Sequence, residues 1–430
     1  MKNFFQFAER ETNYRKETLA GVTTFLSMAY ILVVNPIILS EAGIDKGALF
    51  TATALSAIVG SLLIGLLANF PVGIAPSMGL NSFFTFSVVI GMGIDWEIAL
   101  TGVFIAGIIF MILSLLKIRE KIINVIPKDL KHAIAAGIGF FIAFVGLKNA
   151  GIVVGNEETF ISIGQLTNPT TALAAFGFVI TLMMLIRGIR GGIFYGIVIT
   201  TIIGMIIGLV QVPGSIVGQV PSLEPTFGVV FQHLGDIFSP EILAVIFTFL
   251  FVAFFDTAGA LIAVASQAGL MKNNEIPNAG RALLADSTSG VVGAIFGTST
   301  TASFVESSAG VAVGGRTGFT SVVISICFFI ALFFSPILGV ITPEVTAPAL
   351  IIVGALMATE VKQIDWSRLE VVIPAFVTII MMPLTFSVAT GIALGFILYP
   401  FAMIAKKEWK QVHPIMYTLG ALFILYFVFL

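Results

Sequence analysis

Charge is scarce in this chain. Only 10% of its 430 residues are Asp, Glu, Lys or Arg, against roughly a quarter in soluble domains. A soluble fold of this length needs more polar surface than that, and stretches such as 97–116 and 318–337 offer almost none. Cysteine occurs once, as Cys327 inside an apolar run, which excludes an intramolecular disulfide and a cysteine metal cluster. His132, His233 and His413 lie at or beyond the ends of apolar runs, without metal-ligand spacing between them. No metal and no cofactor is expected. A net charge of −2 leaves no footprint for nucleic acid.

What fills the chain instead is 58% hydrophobic sequence with a mean hydropathy of +1.08, the composition of a polytopic membrane protein in a lipid bilayer. The first apolar run starts near Leu19 after a polar, charged stretch and is long enough to span, so it reads as a first span and not as a cleaved signal. Apolar segments fall near 18–39, 48–68, 73–92, 97–116, 132–148, 171–187 and 193–210. A second series runs 241–266, 281–297, 300–314, 318–337, 345–360, 368–385 and 387–405. Between them lies 211–240, the longest polar-leaning connection, with Pro213, Pro221, Pro225 and Pro240 to keep it out of a long helix. The tail, 413–430, reads as an apolar helix packed at the membrane surface rather than a fifteenth span.

Weak internal likeness supports a duplication. AAFGFVITLMML in the sixth segment resembles IPAFVTIIMMPL in the thirteenth, and GGIFYGIVIT in the seventh resembles ATGIALGFIL in the fourteenth. A unit with an odd number of spans enters the membrane in opposite orientation in its second copy, which predicts a 7+7 inverted repeat of the kind secondary transporters use. The basic residues agree with this register. With the N-terminus in the cytoplasm, 19 of the 21 Lys and Arg fall on the cytoplasmic face, and only Lys46 and Lys148 fall outside. The same register puts the C-terminus in the cytoplasm and suits a multi-pass protein of the cell membrane.

The chemistry is expected in the third and tenth segments. NFPVGIAPSMGLNSFFTF and GTSTTASFVESSAGVAVGG are short for spans and are interrupted by proline, glycine, serine and threonine. Pro71, Gly73, Pro76 and Gly79 disfavour helix over the first half of one, and 298–303 weakens the first half of the other. Unwound backbone within a bilayer is tolerated only where it is buried or lines a cavity. Asn81 stands at one junction and Glu306 at the other. Glu306, in SFVESSAG, and Asp256, in VAFFDTAG, are the two carboxylates deepest inside apolar runs, and an ionisable group at such depth marks a functional site by default. Burial penalises the charged form of each, so proton uptake at one of them is the expected means of coupling.

Each residue has a plainer alternative. Asn81 also suits a helix cap or an interhelical hydrogen bond. Asp286, five residues after Arg281, reads as a local pair or cap near the start of the ninth segment. Arg316 is the nearest basic residue to Glu306, ten positions on. Phe83, Phe84 and Phe304 belong to a chain with 40 Phe, most of which must be core.

Several stretches in order resemble the AzgA-like purine permeases of the nucleobase and ascorbate transporter superfamily. They are TNYRKETLAGVTTFLSMAYILVVNP at 12–36, APSMGLNSFF at 75–84, FFDTAG at 254–259, RALLADSTSGVVGAIFGTST at 281–300, VESSAGVAVGGRTG at 305–318 and PALIIVGALM at 348–357. The resemblance implies an all-α membrane fold of fourteen segments, with short β-strands in the third and tenth. It divides the chain into a core domain (1–131 and 241–344), a gate domain (132–210 and 345–405), the inter-repeat connection 211–240 and the tail 406–430.

It also implies proton-coupled uptake of hypoxanthine, guanine or adenine by alternating access, with a homodimer left open. The family's site falls on Asn81, Asp256 and Glu306. A flat purine with donors and acceptors on its edge suits carboxylates for its N–H groups. Backbone amides at Gly79 or Val305 would meet its acceptors, and Phe83 or Phe304 would cover its face. Phe304 stands where a tyrosine is commoner in the family and Ala253 where a further acid is frequent, which bears on purine preference. The rivals are a transporter of this fold for uracil, xanthine or an anion, a passive channel, and an intramembrane aspartyl protease using the two carboxylates. Two acids without a basic partner argue against an anion, and the protease's glycine-bearing aspartate motif is missing.

Overall fold

The computed structural model of the chain describes residues 3–116, 127–156, 158–189, 191–270, 278–304, 306–339 and 341–429. It is mostly helical, and every one of the fourteen expected segments has an element. Among the described residues, seven helices are long and apolar enough to cross a membrane, and several shorter apolar helices accompany them.

The first segment is α1 (Tyr14–Met28) followed by α2 (Ile31–Ser40). The uninterrupted run read from the sequence is therefore divided at Ala29 and Tyr30. There the chain tightens to i→i+3 bonds, the Leu32 and Val33 N–H groups donating to the Ala29 and Tyr30 carbonyls at 3.2 and 3.1 Å. Pro36 inside α2 has no N–H to return. Next come α3 (Lys46–Leu67), capped by the Asp45 carboxylate on the Ala48 N–H at 2.7 Å, and then the interrupted third segment. That segment is β1 (Ile74–Pro76), α4 (Met78–Ser82) and a π-helix over Phe83–Gly91.

The first half continues with α5 (Trp96–Leu115), α6 (Lys128–Asn149), a hairpin of β2 (Val153–Asn156) and β3 (Phe160–Ile163), α7 (Pro169–Ile186) and α8 (Gly192–Ile206). The hairpin is not foreseen by the apolar pattern. Its turn is set by Asn156, whose side-chain oxygen accepts from the Glu158 and Thr159 N–H groups at 2.9 Å.

The second half repeats the plan: α9 (Pro240–Gln267), α10 (Ala279–Phe296), β4 (Thr301–Ser303) with α11 (Ser307–Ala312), and α12 (Gly318–Ala331) with α13 (Ser335–Gly339). Then follow α14 (Pro343–Ala358), α15 (Leu369–Leu384) and α16 (Val388–Ala405). The tail forms α17 (Pro414–Phe429), which packs on α16 and sets Phe423 against Phe396 and Phe247, each at 5.8 Å between ring centres.

Packing partners exchange as an inverted repeat requires. The second segment (α3) lies on the eleventh (α12), and the ninth (α10) on the fourth (α5). The sixth and seventh (α7, α8) pack together, as do the thirteenth and fourteenth (α15, α16). The third and tenth meet each other, through β1 and β4. Segments one to four and eight to eleven thus pack mainly among themselves, as do five to seven and twelve to fourteen. Small residues permit this closeness. A methyl group on Gly318 would lie 2.0 Å from the Gly65 carbonyl oxygen, so α12 and α3 touch backbone to backbone. Gly318→Ala is expected to destabilise the protein by about 1–3 kcal/mol, whereas Gly214→Ala, in open space, is expected to be neutral. Thermal unfolding in detergent, with equal midpoints for the two variants as the contrary result, checks this.

Candidate functional site

The two interrupted segments complete each other. β1 and β4 pair antiparallel with Ile74 opposite Ser303, Ala75 opposite Ala302 and Pro76 opposite Thr301. The ladder extends one bond at each end, Ser77 N–H to the Thr300 carbonyl at 3.0 Å and Phe304 N–H to the Gly73 carbonyl at 2.9 Å. Backbone groups outside the ladder find hydroxyls. The Val72, Gly73 and Ile74 N–H groups donate to Ser321, Ser307 and Ser61 at 2.9, 3.0 and 3.0 Å. This is how non-helical chain is stable among apolar helices.

Glu306 stands at the junction of β4 and α11. It accepts a hydrogen bond from the Tyr30 hydroxyl at 2.7 Å, and Tyr30 is itself buried at the break between α1 and α2. The discontinuity in the first segment and the one in the tenth therefore meet at a carboxylate. Arg316 turns elsewhere: its guanidinium donates to the Val311 and Gly315 carbonyls at 2.7 Å, closing the end of α11.

Asp286 corrects the sequence-based expectation of a local pair or cap. It is 1% exposed, while Arg281 is exposed. Its two carboxylate oxygens accept from Thr257 at 2.7 Å and from Ser303 at 3.4 Å. It thus joins α9, next to Asp256, to the strand that leads to Glu306. Asp256 lies on α9, but its side chain, like the whole of Val305, is outside the described part of the structure. Phe304 is buried beside Glu306 with its N–H held by Gly73.

The remaining predicted residues follow β1 on the third segment. Asn81 is fully buried on α4; its amide donates to Asn35 and accepts from Ser299. Asn35 in turn donates to Thr53 and Thr298 at 2.7 and 3.0 Å. This network binds the first three segments to the run before β4, so the Asn81 amide is engaged by protein. A methyl on Gly79 would lie 2.7 Å from Ile138, so α4 abuts α6 there. Phe83 is buried edge-on to Phe249 at 5.0 Å. Ser82 and Thr85, which follow Asn81, are buried hydroxyls without a hydrogen-bond partner among the described residues. The sequence held a signal for Tyr30, one of six tyrosines and the one inside the first apolar run. For Ser82 and Thr85 it held none.

The motif VAVGGRTG serves a separate structural purpose. Glu17, fully buried at the start of α1, accepts from the Arg316 and Thr317 N–H groups at 3.0 and 3.3 Å and from Thr320 at 2.5 Å. Arg10 donates to the Asn69 and Arg316 carbonyls at 2.7 Å. Burial lowers the Arg10 pKa from its ordinary value, with Glu17 and Glu9 opposing. The N-terminal arm is thereby stitched under both interrupted segments.

An inverted repeat whose two broken segments pair, with Glu306 at the end of one and the buried Asp286 bonded to its strand, defines a multi-pass membrane transporter, not an enzyme. The family model described as Permease family (Xan_ur_permease) matches residues 15–394, and the chain belongs to that family. It is 58% identical to the guanine/hypoxanthine permease PbuG of Bacillus subtilis, over 100% of both chains. It is 42% identical to the adenine permease AdeP of Escherichia coli, over 100% of this chain and 96% of that one. The AzgA-like assignment read from the motifs holds. Among solved structures, the transmembrane domain of the cyanobacterial bicarbonate transporter BicA shares the fold, with a TM-score of 0.62 at 17% identity, covering 91% of this chain and 97% of that one.

Tyr30→Phe removes the donor to Glu306 while keeping the ring. We expect transport to fall about tenfold, the size of one hydrogen bond to a charged group, with the unfolding temperature unchanged. A wild-type transport rate in this variant would deny Tyr30 and Glu306 a shared role.

Proposed function

We propose that this chain imports purine nucleobases, hypoxanthine and guanine foremost, across the cell membrane by proton symport. Full-length relatives named guanine/hypoxanthine and adenine permeases support the substrate class. The observation that carries the site is the meeting of Glu306, Tyr30 and Asp286 at the paired broken strands.

In this proposal residues 1–131 and 241–344 form a core that carries the site, and 132–210 and 345–405 form the gate against which it moves. Asp256 and Glu306 take the ring N–H groups and the proton. Phe304 covers the purine face, and the backbone at Val305 and Gly79 supplies donors to ring acceptors. Asn81 positions the third segment through its network, and Phe83 supports that segment through Phe249. Protonation from outside admits the purine, movement of the core exposes it inward, and release frees both. A pH gradient contributes about 1.4 kcal/mol per unit to accumulation. The N-terminus and C-terminus lie in the cytoplasm.

Competition uptake with adenine, hypoxanthine, guanine, xanthine and uracil, with and without a protonophore, tests this. We expect hypoxanthine and guanine to compete best and the protonophore to abolish accumulation. Asp256→Asn and Glu306→Gln should each lower uptake by about tenfold or more. Full, pH-responsive accumulation by both variants would overturn the mechanism.

A further inference from the structure

A second set of aromatic side chains, away from the paired strands, has a cation of its own. Lys148, near the C-terminal end of α6, places its ammonium 5.1 Å from the ring centre of Phe386 and 5.8 Å from that of Phe86. Phe386 lies in the connection between α15 and α16 and meets Phe86, Phe141 and Phe144 edge-on at 5.4, 5.4 and 5.8 Å. Its backbone has φ of +53°, a conformation that is an outlier for a bulky residue. The hydroxyl of Ser87, on the π-helix, donates to the Phe386 carbonyl at 3.3 Å. The ring is therefore held where the third segment and the α15–α16 connection touch.

Above it is a cavity of ≈ 350 Å³, lined by Phe86, Phe144, Phe386, Lys148 and the β2–β3 hairpin. That volume is at the small end of ligand sites and suits one flat bicyclic ring. Lys148 and Lys46 are the two basic residues on the face opposite the other Lys and Arg, so the cavity opens on the outer face of the proposed topology.

We propose that this cavity is an outer nucleobase site in which Lys148 selects 6-oxopurines over adenine before the ring reaches the paired strands. The inference rests on the purine-import reading above. An ammonium has three donors and no acceptor. The edge of guanine carries two adjacent acceptors, N7 and O6, whereas adenine places its N6 amino donor beside N7. Hypoxanthine shares the 6-oxo edge. Lys148 therefore meets two acceptors on a 6-oxopurine and an acceptor beside a clashing donor on adenine. The rings of Phe386 and Phe144 supply stacking surface to either.

The test is initial-rate uptake of labelled hypoxanthine and adenine in wild type, Lys148→Met and Lys148→Arg. Lys148 is exposed, so its replacement leaves the packing of α6 intact. We expect Lys148→Met to reduce the hypoxanthine-to-adenine ratio of kcat/KM about tenfold, chiefly through KM for hypoxanthine, and Lys148→Arg to retain most of it. A ratio unchanged in Lys148→Met, or an equal loss for both purines, overturns the inference and leaves purine import standing. A wild-type chain that takes up neither purine removes both.

Discussion

A backbone N–H or carbonyl with no partner and no water costs several kcal/mol, and this constraint organises the centre of the molecule. Proline and glycine at 71–79 and the threonine and serine run at 298–303 prevent helix there. The freed groups must bond to something, and each broken segment is the other's partner through the β1–β4 ladder. Because the two segments come from opposite halves of the chain, the ladder also fastens the halves together. Ser61, Ser307 and Ser321 complete the bonding. Small residues in the surrounding helices let α3 and α12 approach closely enough to hold it.

The two halves use the same break differently. After β1 the chain enters α4, where Asn81 is tied to Asn35 and Ser299 in a fully buried amide network. After β4 it reaches Glu306, which accepts from the Tyr30 hydroxyl. One copy of the repeat anchors and the other presents an ionisable group. Asp286 reinforces the second copy by joining α9 to Ser303. Duplication followed by divergence at a few positions is enough to produce this asymmetry.

Much of this was legible beforehand, for identifiable reasons. Apolar run length locates spans, proline and glycine locate breaks, and the odd number of spans per unit fixes the inverted repeat. Glu306 stood out because a carboxylate in an apolar run is rare. The partners were harder. Tyr30 and Glu306 are separated by 276 positions, and nothing local encodes their meeting. For Asp286, sequence proximity to Arg281 favours a local pair or cap, but the helix turns it inward to Thr257. The β2–β3 hairpin rests on an Asx turn within a polar connection, and the π-helix at Phe83–Gly91 differs from an α-helix by one residue per bond, which hydrophobic periodicity does not resolve. The Asn81 side chain makes the interhelical hydrogen bond that suits a buried amide on a helix.

The central claim is that the paired broken strands are where the purine binds. Amide hydrogen exchange on the purified protein, with and without hypoxanthine, tests it most directly. The account predicts that protection rises together in peptides covering 73–81 and 300–307, because a ligand seated there stabilises both strands at once. Saturating hypoxanthine that leaves both stretches unchanged while protecting another part of the chain would contradict it.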